Sequence, residues 1–444
     1  MSSATEIAAI RFGYGLRPGE TAPSGAEDLL EALRTGRQRA SEVESTTARL
    51  TLLDEFLASK GDKALRKELN GVARRRGLED IAARIERRAY SPCGFYERMA
   101  SFWADHFTVG TRNLRRFYFA GAYEDDAIRP HVIGHFADML KAVVRAPAML
   151  AYLDQAVSIG PNSKVGKRSG RGLNENLARE MLELHTLGVG AGYTQNDVRE
   201  FAELLTGFGT RRRSLQFRFK KNWAEPGAET VLGRQYGGDP AMAEHVDELL
   251  EDLARHPSTA RHLARKLAVH FVSDEPDPDL ITHIAGVWTK TEGDLFQVAS
   301  AMLDHPAAWK HPGRKVKRPV ELVVSTLRAV GDSSVLPKDP AKRGRQMLRA
   351  MQGMGQILFK PPGPDGWPEA AGDWITAQGL AGRLQFASAI GRRLARSGGL
   401  DPRDFAELTL GTTLSETTRF VVSAAPDRWE GFALLLASPE FNRR

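Results

Sequence analysis

Residues 174–188 read NENLAREMLELHTLG, and their alternation of apolar and charged side chains indicates the fold class of the chain. At about 100° per residue, an α-helix would gather its apolar side chains on one face and its charged side chains on the other. Leu177 and Leu184 fall on the apolar face, whereas Glu183 falls on the polar one. The spacing therefore predicts an amphipathic helix over residues 174–187.

The same 3.6-residue period of apolar side chains recurs along most of the chain, between residues 27 and 436. Strand patterns are few: QFRFK at 216–220 alternates, and ETVLG at 229–233 is predicted to pair with it as a hairpin. We therefore expect a mainly α-helical protein, a multi-helical globular body with a small β-hairpin insertion. The insertion would cover residues 211–238, within a single module over residues 1–444.

The composition is that of a folded protein, because 42% of the 444 residues are hydrophobic and 26% are charged. No apolar run has the length that spans a bilayer. The first residues, MSSATEIAAIRFGYG, lack the basic region and apolar core of a secretory signal, so we expect a cytoplasmic protein. The single cysteine, Cys93, excludes an internal disulfide and any site built from several cysteines.

The formal net charge is +7, which is modest for a chain of this length. The basic residues form scattered clusters with acids nearby, and no nucleic-acid recognition module accompanies them. Nucleic acid is therefore not expected as a partner. One cluster lies in residues 158–173, which we predict to be an exposed basic loop whose Lys167 and Arg168 bind substrate.

The helix predicted at 174–187 carries a dense set of polar side chains. Those assigned to catalysis are Glu175, Arg179, Glu180 and Glu183, and those assigned to substrate binding are Asn174 and Asn176. Carboxylates can transfer protons or bind a metal, and a planar guanidinium can hold an anion. The i, i+4 spacing around Arg179 also fits a salt-bridge ladder on a surface helix, worth about 0.2–0.5 kcal/mol per pair. Both interpretations stay open.

Two histidines complete the predicted site. His106 lies near the end of a helix predicted over residues 95–107, and His185 lies near the end of the helix over 174–187. Both fall in apolar stripes, where an imidazole is either a hydrogen-bonded core residue or a group tuned for proton transfer. Because His185 faces away from Glu183, these two residues cannot share one metal ion.

Eight segments of the chain resemble the bacterial family known as domain of unknown function 1800. They are RFGYG, FWADHFTVG, IRPHVIGHF, RAPAMLAYLD, NENLAREMLELHTLGVGAGYTQNDVREFAELLTGFG, HPSTARHLARKLAVHFV, GQILFKPPGPDGW and LLLASPEFNRR. The resemblance spans nearly the whole chain and implies a mainly helical module with no agreed activity. Members resemble one another most at positions matching His106, Asn174, Glu175, Asn176, Arg179, Glu180, Glu183 and His185.

The resemblance also concerns partners and location. Members are often encoded beside a sulfatase-like protein of a second uncharacterised family, and they often carry export signals. This chain departs from the family pattern after the β insertion, where members commonly show a His-Asp pair and, further on, a Lys. Ala224, Glu225 and Glu229 occupy those places here. A ligand or base supplied by that histidine would therefore be lost.

These observations favour a hydrolase- or transferase-like enzyme with an acidic, arginine and histidine site on two helices. Glu180 or Glu183 would act as general base or metal ligand, while Arg179 would hold an anionic substrate group. His106 or His185 would donate or accept a proton. The cofactor and any metal ion stay unassigned. The alternative is a non-catalytic binding or assembly protein that works with the partner encoded nearby, and the missing His-Asp pair favours it.

Overall fold

The structure, a computed structural model, describes residues 4–37, 43–111, 114–170, 172–211 and 216–444. The α-helices in this part of the chain are α1 (Ala4–Ile7), α2 (Ala26–Gly36), α3 (Thr46–Ala58), α4 (Lys63–Tyr90), α5 (Gly94–His106), α6 (Leu114–Ala120), α7 (Phe136–Arg145), α8 (Pro147–Tyr152), α9 (Gly166–Ser169), α10 (Asn176–Glu180), α11 (Gln195–Leu204), α12 (Glu244–Arg255), α13 (Pro257–Phe271), α14 (Pro278–Lys290), α15 (Leu295–Asp304), α16 (Pro319–Val330), α17 (Pro340–Gly353), α18 (Ala371–Trp374), α19 (Ala377–Ser397), α20 (Pro402–Leu410), α21 (Glu416–Ser423), α22 (Arg428–Ala437) and α23 (Pro439–Asn442).

Short helical turns of other types join these helices. The π-helical turns are Ala8–Phe12, Glu124–Ile128 and Met181–His185, and the 3-10 turns are Arg129–His131, Gln155–Val157, Pro306–Trp309 and Gly411–Thr413. The helix predicted over 174–187 is thus α10 continued by a wider π-helical turn. No helix within the described ranges has both the length and the apolar character needed to cross a membrane.

Four short strands form two separate antiparallel hairpins in the described chain. They are β1 (Phe208–Thr210) with β2 (Phe217–Phe219), and β3 (Gly227–Val231) with β4 (Arg234–Gly238). The predicted mainly α-helical fold with a small β-hairpin insertion is therefore confirmed. The predicted pairing of 216–220 with 229–233 is wrong. Leu232 and Gly233 both adopt positive φ angles, the geometry of a two-residue hairpin turn, so β3 pairs with the strand that follows it.

Local sequence signals mark where helices begin and end. Thr194 accepts a hydrogen bond from the backbone N of Asp197, whose side chain accepts from Thr194, so a capping box starts α11. Proline occupies the first turn of α16 at Pro319, where its missing N–H costs no helical hydrogen bond. Gly331 ends the same helix in the left-handed region, with a φ of 89°.

Two large clusters of buried apolar side chains make up most of the described core. The first includes residues of α2, α5, α7, α12, α13, α14 and α15, and the second includes residues of α4, α16, α17, α19, α20 and α22. Helix α5 contributes Met99 and Trp103 to the first cluster. Its Arg98 extends instead to Glu321 of α16, which belongs to the second group of helices.

Buried charges join α5 to α16 at the Glu321 network, which consists of Arg98, Arg318, Glu321 and Arg444. Glu321 Oε1 lies 2.9 Å from Arg98 and 3.3 Å from Arg444. Glu321 Oε2 accepts a hydrogen bond from the backbone N of Arg318 at 2.8 Å. These side chains are only 1–5% exposed. A buried carboxylate surrounded by guanidinium groups therefore fixes the position of α5, which carries His106.

Candidate functional site

Glu175, Arg179 and Glu183, here called the ladder, lie on the outer side of α10 and its π-helical turn. Arg179 Nη2 lies 3.1 Å from Glu175, and Nη1 lies 3.4 Å from Glu183. Gln195 of α11 accepts a further bond from Arg179 at 2.9 Å. The Arg179 side chain is 36% exposed, so water weakens both ion pairs. Because this arginine already contacts three partners, the geometry favours the surface-ladder interpretation for these residues.

Glu180 makes none of the ladder's ion pairs, although the charge of Glu183 acts on it. It is half-buried, and burial together with the charges of Glu183 and Asp365 raises its pKa. Tyr152 is also half-buried, and burial followed by the charge of Glu180 raises its pKa. Glu180 is therefore suited to hold a proton closer to neutral pH than an ordinary surface carboxyl does.

His185 is enclosed in the core. It is 1% exposed, its Nδ1 lies 3.1 Å from the Met181 sulfur, and its Nε2 is buried without a hydrogen-bond partner. Burial, followed by the positive charge of Lys266, lowers the pKa of His185 to about 3, so the imidazole is neutral at physiological pH. The structure does not bring His185 together with the ladder, and it places the ring on the apolar side of the helix.

His106 and Lys266 form a hydrogen-bonded chain that ends on the backbone. His106 Nε2 lies 3.1 Å from the carbonyl oxygen of His185, and Nδ1 lies 2.9 Å from Lys266 Nζ. Since a carbonyl only accepts and an ammonium only donates, we assign the His106 proton to Nε2. Burial, followed by Lys266, lowers the pKa of His106 well below 6.5, which agrees with a neutral ring. Lys266 was not predicted as a site residue, although it lies in the segment HPSTARHLARKLAVHFV.

A second imidazole, that of His262, forms a hydrogen bond to the end of the π-helical turn Met181–His185. His262 of α13 donates from Nε2 to the carbonyl oxygen of Leu184 at 3.1 Å. Its ring stands against Gly188, where an added Cβ would come within 2.9 Å of the imidazole. The last carbonyl groups of a helix have no partner within it. Here His106 and His262 supply those partners from two other helices.

The four residues predicted to bind substrate differ in exposure and in their contacts. Asn174 accepts a hydrogen bond from the backbone N of Asn176 at 2.8 Å, which starts α10 in the manner of a helix cap. Asn176, Lys167 and Arg168 are exposed. The Asn174 side chain thus stabilises the start of α10, and the side chains of Asn176, Lys167 and Arg168 lie at the surface.

The segment 158–173, predicted to be an exposed basic loop, contains both buried and exposed residues. Ser158 at its start is 1% exposed, and Asn162 donates two hydrogen bonds to the Glu225 carboxylate, from its backbone N and its side chain. The first half of the segment is held down by these contacts. Arg171 lies outside the described residues. Glu225, at a position where the resemblance described above implies a departure from the family pattern, therefore anchors the loop.

The other departure, Glu229, creates a cluster of three carboxylates with Glu200 and Glu203. One oxygen of each lies within 4.8 Å of the others. Glu229 is 7% exposed, and burial together with a hydrogen bond to Glu200 raises its pKa to about 8. Within the described chain, this is the only group of at least three His, Cys, Asp or Glu side chains close enough to share a metal ion. It contains none of the predicted site residues.

Asp105, the neighbour of His106, borders a cavity. Its Oδ2 accepts a hydrogen bond from Arg318 Nη1 at 2.5 Å, and its Oδ1 accepts one from the backbone N of Trp367 at 3.2 Å. The cavity, here called the Asp105 cavity, has a volume of about 130 Å³ and is lined by residues of α4, α5, α6, α16 and the loop after α17. The sequence pattern does not reveal this site, because Arg318 lies 213 residues from Asp105 along the chain.

The fold and these sites define a mainly helical protein whose helices are tied together by buried ionic and imidazole contacts. Residues 7–443 match the family described as Protein of unknown function (DUF1800), and the chain belongs to that family. The resemblance inferred from the sequence motifs is thereby confirmed. No curated protein and no solved structure matched the chain.

Proposed function

We propose that this protein is a hydrolase- or transferase-like enzyme whose centre is the ammonium group of Lys266. The observation that carries the proposal is the hydrogen bonding of this lysine. Within the described chain its one hydrogen bond goes to His106 Nδ1, at 2.9 Å. An ammonium group has three N–H donors, so two remain for a substrate. Lys266 is half-buried, and a contact shielded from water is electrostatically stronger.

Glu180 is the acid–base group of the proposed enzyme. Its raised pKa provides a protonated carboxyl closer to neutral pH, as general acid catalysis requires. Burial lowers the pKa of Lys266, and the charges of Asp105, Glu369 and Asp365 oppose this shift. Asp365 also contributes to the raised pKa of Glu180, after burial and the charge of Glu183. Lys266 would stabilise negative charge on the substrate while Glu180 transfers a proton.

His106 acts in this proposal as a positioning residue. It holds Lys266 through Nδ1 and is itself fixed by the carbonyl of His185. Arg179 does not hold substrate, because its donors already contact Glu175, Glu183 and Gln195. The proposed centre therefore keeps Glu180 and His106 from the predicted set and adds Lys266.

The test is turnover by the purified protein of a panel of chromogenic carboxylate esters, phosphate esters and amides. We expect Glu180→Gln and Lys266→Met to lower kcat/KM by about 100-fold or more, the usual effect of losing an acid–base group. Glu416→Gln and Lys290→Met change exposed residues in the same way and serve as matched controls. Running the panel with and without added Zn²⁺ or Mn²⁺ tests whether a divalent metal takes part.

Two results would contradict this function. Full turnover by folded Glu180→Gln and Lys266→Met variants would rule out the centre at Lys266. No turnover of any substrate in the panel would count against an enzyme and favour the second function.

The second function is assembly with a partner, and exposed apolar side chains on the C-terminal helices favour it. Phe420 is 71% exposed, and Leu408, Val421 and Leu434 are exposed as well. Exposed apolar groups gain free energy when a partner covers them. The partner would be the sulfatase-like protein of a second uncharacterised family that is encoded nearby.

Co-purification of the two proteins tests this second function. Phe420→Ser should abolish the complex if the C-terminal helices form the interface. Val189→Ser, which removes another exposed apolar side chain, is the matched control. A complex that survives Phe420→Ser, or the absence of any complex, would contradict this interface.

A further inference from the structure

Buried arginines outnumber buried carboxylates in a cluster that joins α4, α5 and the turns before α7. Its members, here called the Glu124 cluster, are Arg84, Arg87, Arg88 and Arg129 with Glu97, Glu124 and Asp125. Each of these side chains is at most 10% exposed. Among the described members of the cluster, four guanidinium groups face three carboxylates.

Arg88 is a guanidinium group of this cluster that keeps free donors. Its Nη2 lies 3.2 and 3.0 Å from the two carboxylate oxygens of Glu124. Its Nε is buried without a hydrogen-bond partner. Its Nη1 also has no partner within the described chain. Arg88 is only 8% exposed, and a charged group with so little access to water is costly unless it is paired.

The Asp105 cavity lies beside the Glu124 cluster, because Arg84, Arg88 and Glu124 belong to its lining. Arg88 lines the cavity, and so does Arg318 of the Glu321 network. Arg318 uses Nη1 for Asp105, whereas its Nη2 has no hydrogen-bond partner among the described residues. The two carboxylates in the lining, Asp105 and Glu124, are already bonded to arginines. Arg318 Nη1 also lies 3.6 Å from Glu369. Arg88 Nη1 and Arg318 Nη2 are therefore the donors at the cavity that no carboxylate of the described chain accepts from.

We propose that the Asp105 cavity binds a small oxyanion, a phosphate or carboxylate group, through Arg88 and Arg318. Such a group would accept the hydrogen bonds that Arg88 Nη1 and Arg318 Nη2 do not make within the described chain. The site goes beyond the enzyme proposed at Lys266, because binding here needs no turnover.

The size of the cavity limits what it accepts. Its volume of about 130 Å³ is larger than one water requires, which is roughly 10–15 Å³. It is smaller than the roughly 300–1,000 Å³ of pockets that take drug-sized ligands. The ligand is therefore a single small ion or the charged end group of a larger molecule.

Thermal unfolding and calorimetric titration of the full chain test the proposal with inorganic phosphate and with acetate, against chloride at equal ionic strength. We expect one of the two oxyanions to bind saturably and to raise Tm by about 1–4 °C. An effect of phosphate alone assigns a phosphate group, and an effect of acetate alone assigns a carboxylate. If neither anion binds or raises Tm above the chloride control, the proposal is overturned.

Two variants locate the binding. Arg88→Gln removes the guanidinium donors and leaves Glu124 bonded to Arg84 and Arg87, so we expect it to fold and to bind the anion at least 10-fold more weakly. Ala104→Leu fills the cavity without changing any charge and should weaken binding similarly. Arg199→Gln, at an exposed arginine, is the matched control. Unchanged anion affinity in folded Ala104→Leu protein, or in folded Arg88→Gln protein, would place the ion elsewhere and overturn the proposal.

Discussion

The ladder and the Glu321 network are built from the same two residue types, arginine and glutamate, in opposite environments. Side chains of the ladder are 26–36% exposed, whereas those of the network are 1–5% exposed. Water screens the ladder, so each pair contributes a few tenths of a kcal/mol. In the core, removing the partner of a buried charge lowers the free energy of unfolding by several kcal/mol. The regular i, i+4 pattern in the sequence therefore identifies the ladder, whose ion pairs contribute less stability than those of the Glu321 network.

Removing the carboxylate at the centre of the Glu321 network should have the largest effect. Glu321→Gln leaves the guanidinium groups of Arg98 and Arg444 buried without their negative partner. We expect the free energy of unfolding to fall by roughly 3–5 kcal/mol, measured by urea denaturation. Glu183→Gln in the ladder is the control and should change it far less. If Glu321→Gln lowers the free energy of unfolding by less than about 1 kcal/mol, the Glu321 network does not contribute more stability than the ladder.

Glu229 sharpens the comparison, because it is buried like the network but faces carboxylates. Its pKa is raised from 4.5 to about 8, so the folded state holds this proton more tightly than the unfolded state does. The resulting stabilisation is complete below pH 4.5 and is lost as the pH rises towards 8. Glu229→Lys would place an ammonium group beside the carboxylates of Glu200 and Glu203. We expect this variant to be more stable than the original chain by roughly 1–3 kcal/mol at pH 8.

Urea denaturation of both proteins at pH 5 and pH 8 checks the prediction for Glu229. The original chain should lose part of its stability between these values, and Glu229→Lys should lose less. If the two proteins lose equal stability between pH 5 and pH 8, the carboxylate cluster does not hold the proton as described.

A smaller effect is expected at Lys266, whose ammonium group acts on the neutral rings of His106 and His185. Burial is the first cause of the lowered pKa values of His106 and His185, and Lys266 is the second. Lys266→Met should therefore raise both pKa values, by roughly one unit or less, and leave them below 6.5. NMR titration of the imidazole signals measures this shift, with Lys290→Met as the exposed control. A pKa of His106 that stays the same or falls would contradict the contact with Lys266.

The smallest effect belongs to the ladder itself. Arg179→Ala should lower the free energy of unfolding by about 0.5–1 kcal/mol at low salt, since it removes two exposed ion pairs. In 1 M salt the difference from the original chain should shrink further. A loss above about 2 kcal/mol would show that Arg179 has a partner in the protein that the ladder geometry does not include.

The sequence was sufficient for the helical architecture, because apolar periodicity depends on neighbours within one helix. It also separated His185 from Glu183, since a helix fixes which side chains share a face. It could not supply Lys266 as the partner of His106, because 160 residues separate them and only packing brings them together. The pairing of the strands was wrong for a local reason, the two-residue turn at Leu232 and Gly233. Periodicity predicts which face of a helix or strand is buried, but it does not predict which other element packs or pairs with that face.

His106 connects three separate parts of the chain through a single ring. One nitrogen donates to the backbone of the π-helical turn, and the other accepts from Lys266 on α13. Replacing either residue alone leaves the other with an unpaired buried polar atom, which costs about 1–3 kcal/mol. In the course of evolution the two positions are therefore expected to change together, because each single-step intermediate would be a less stable protein than either end point.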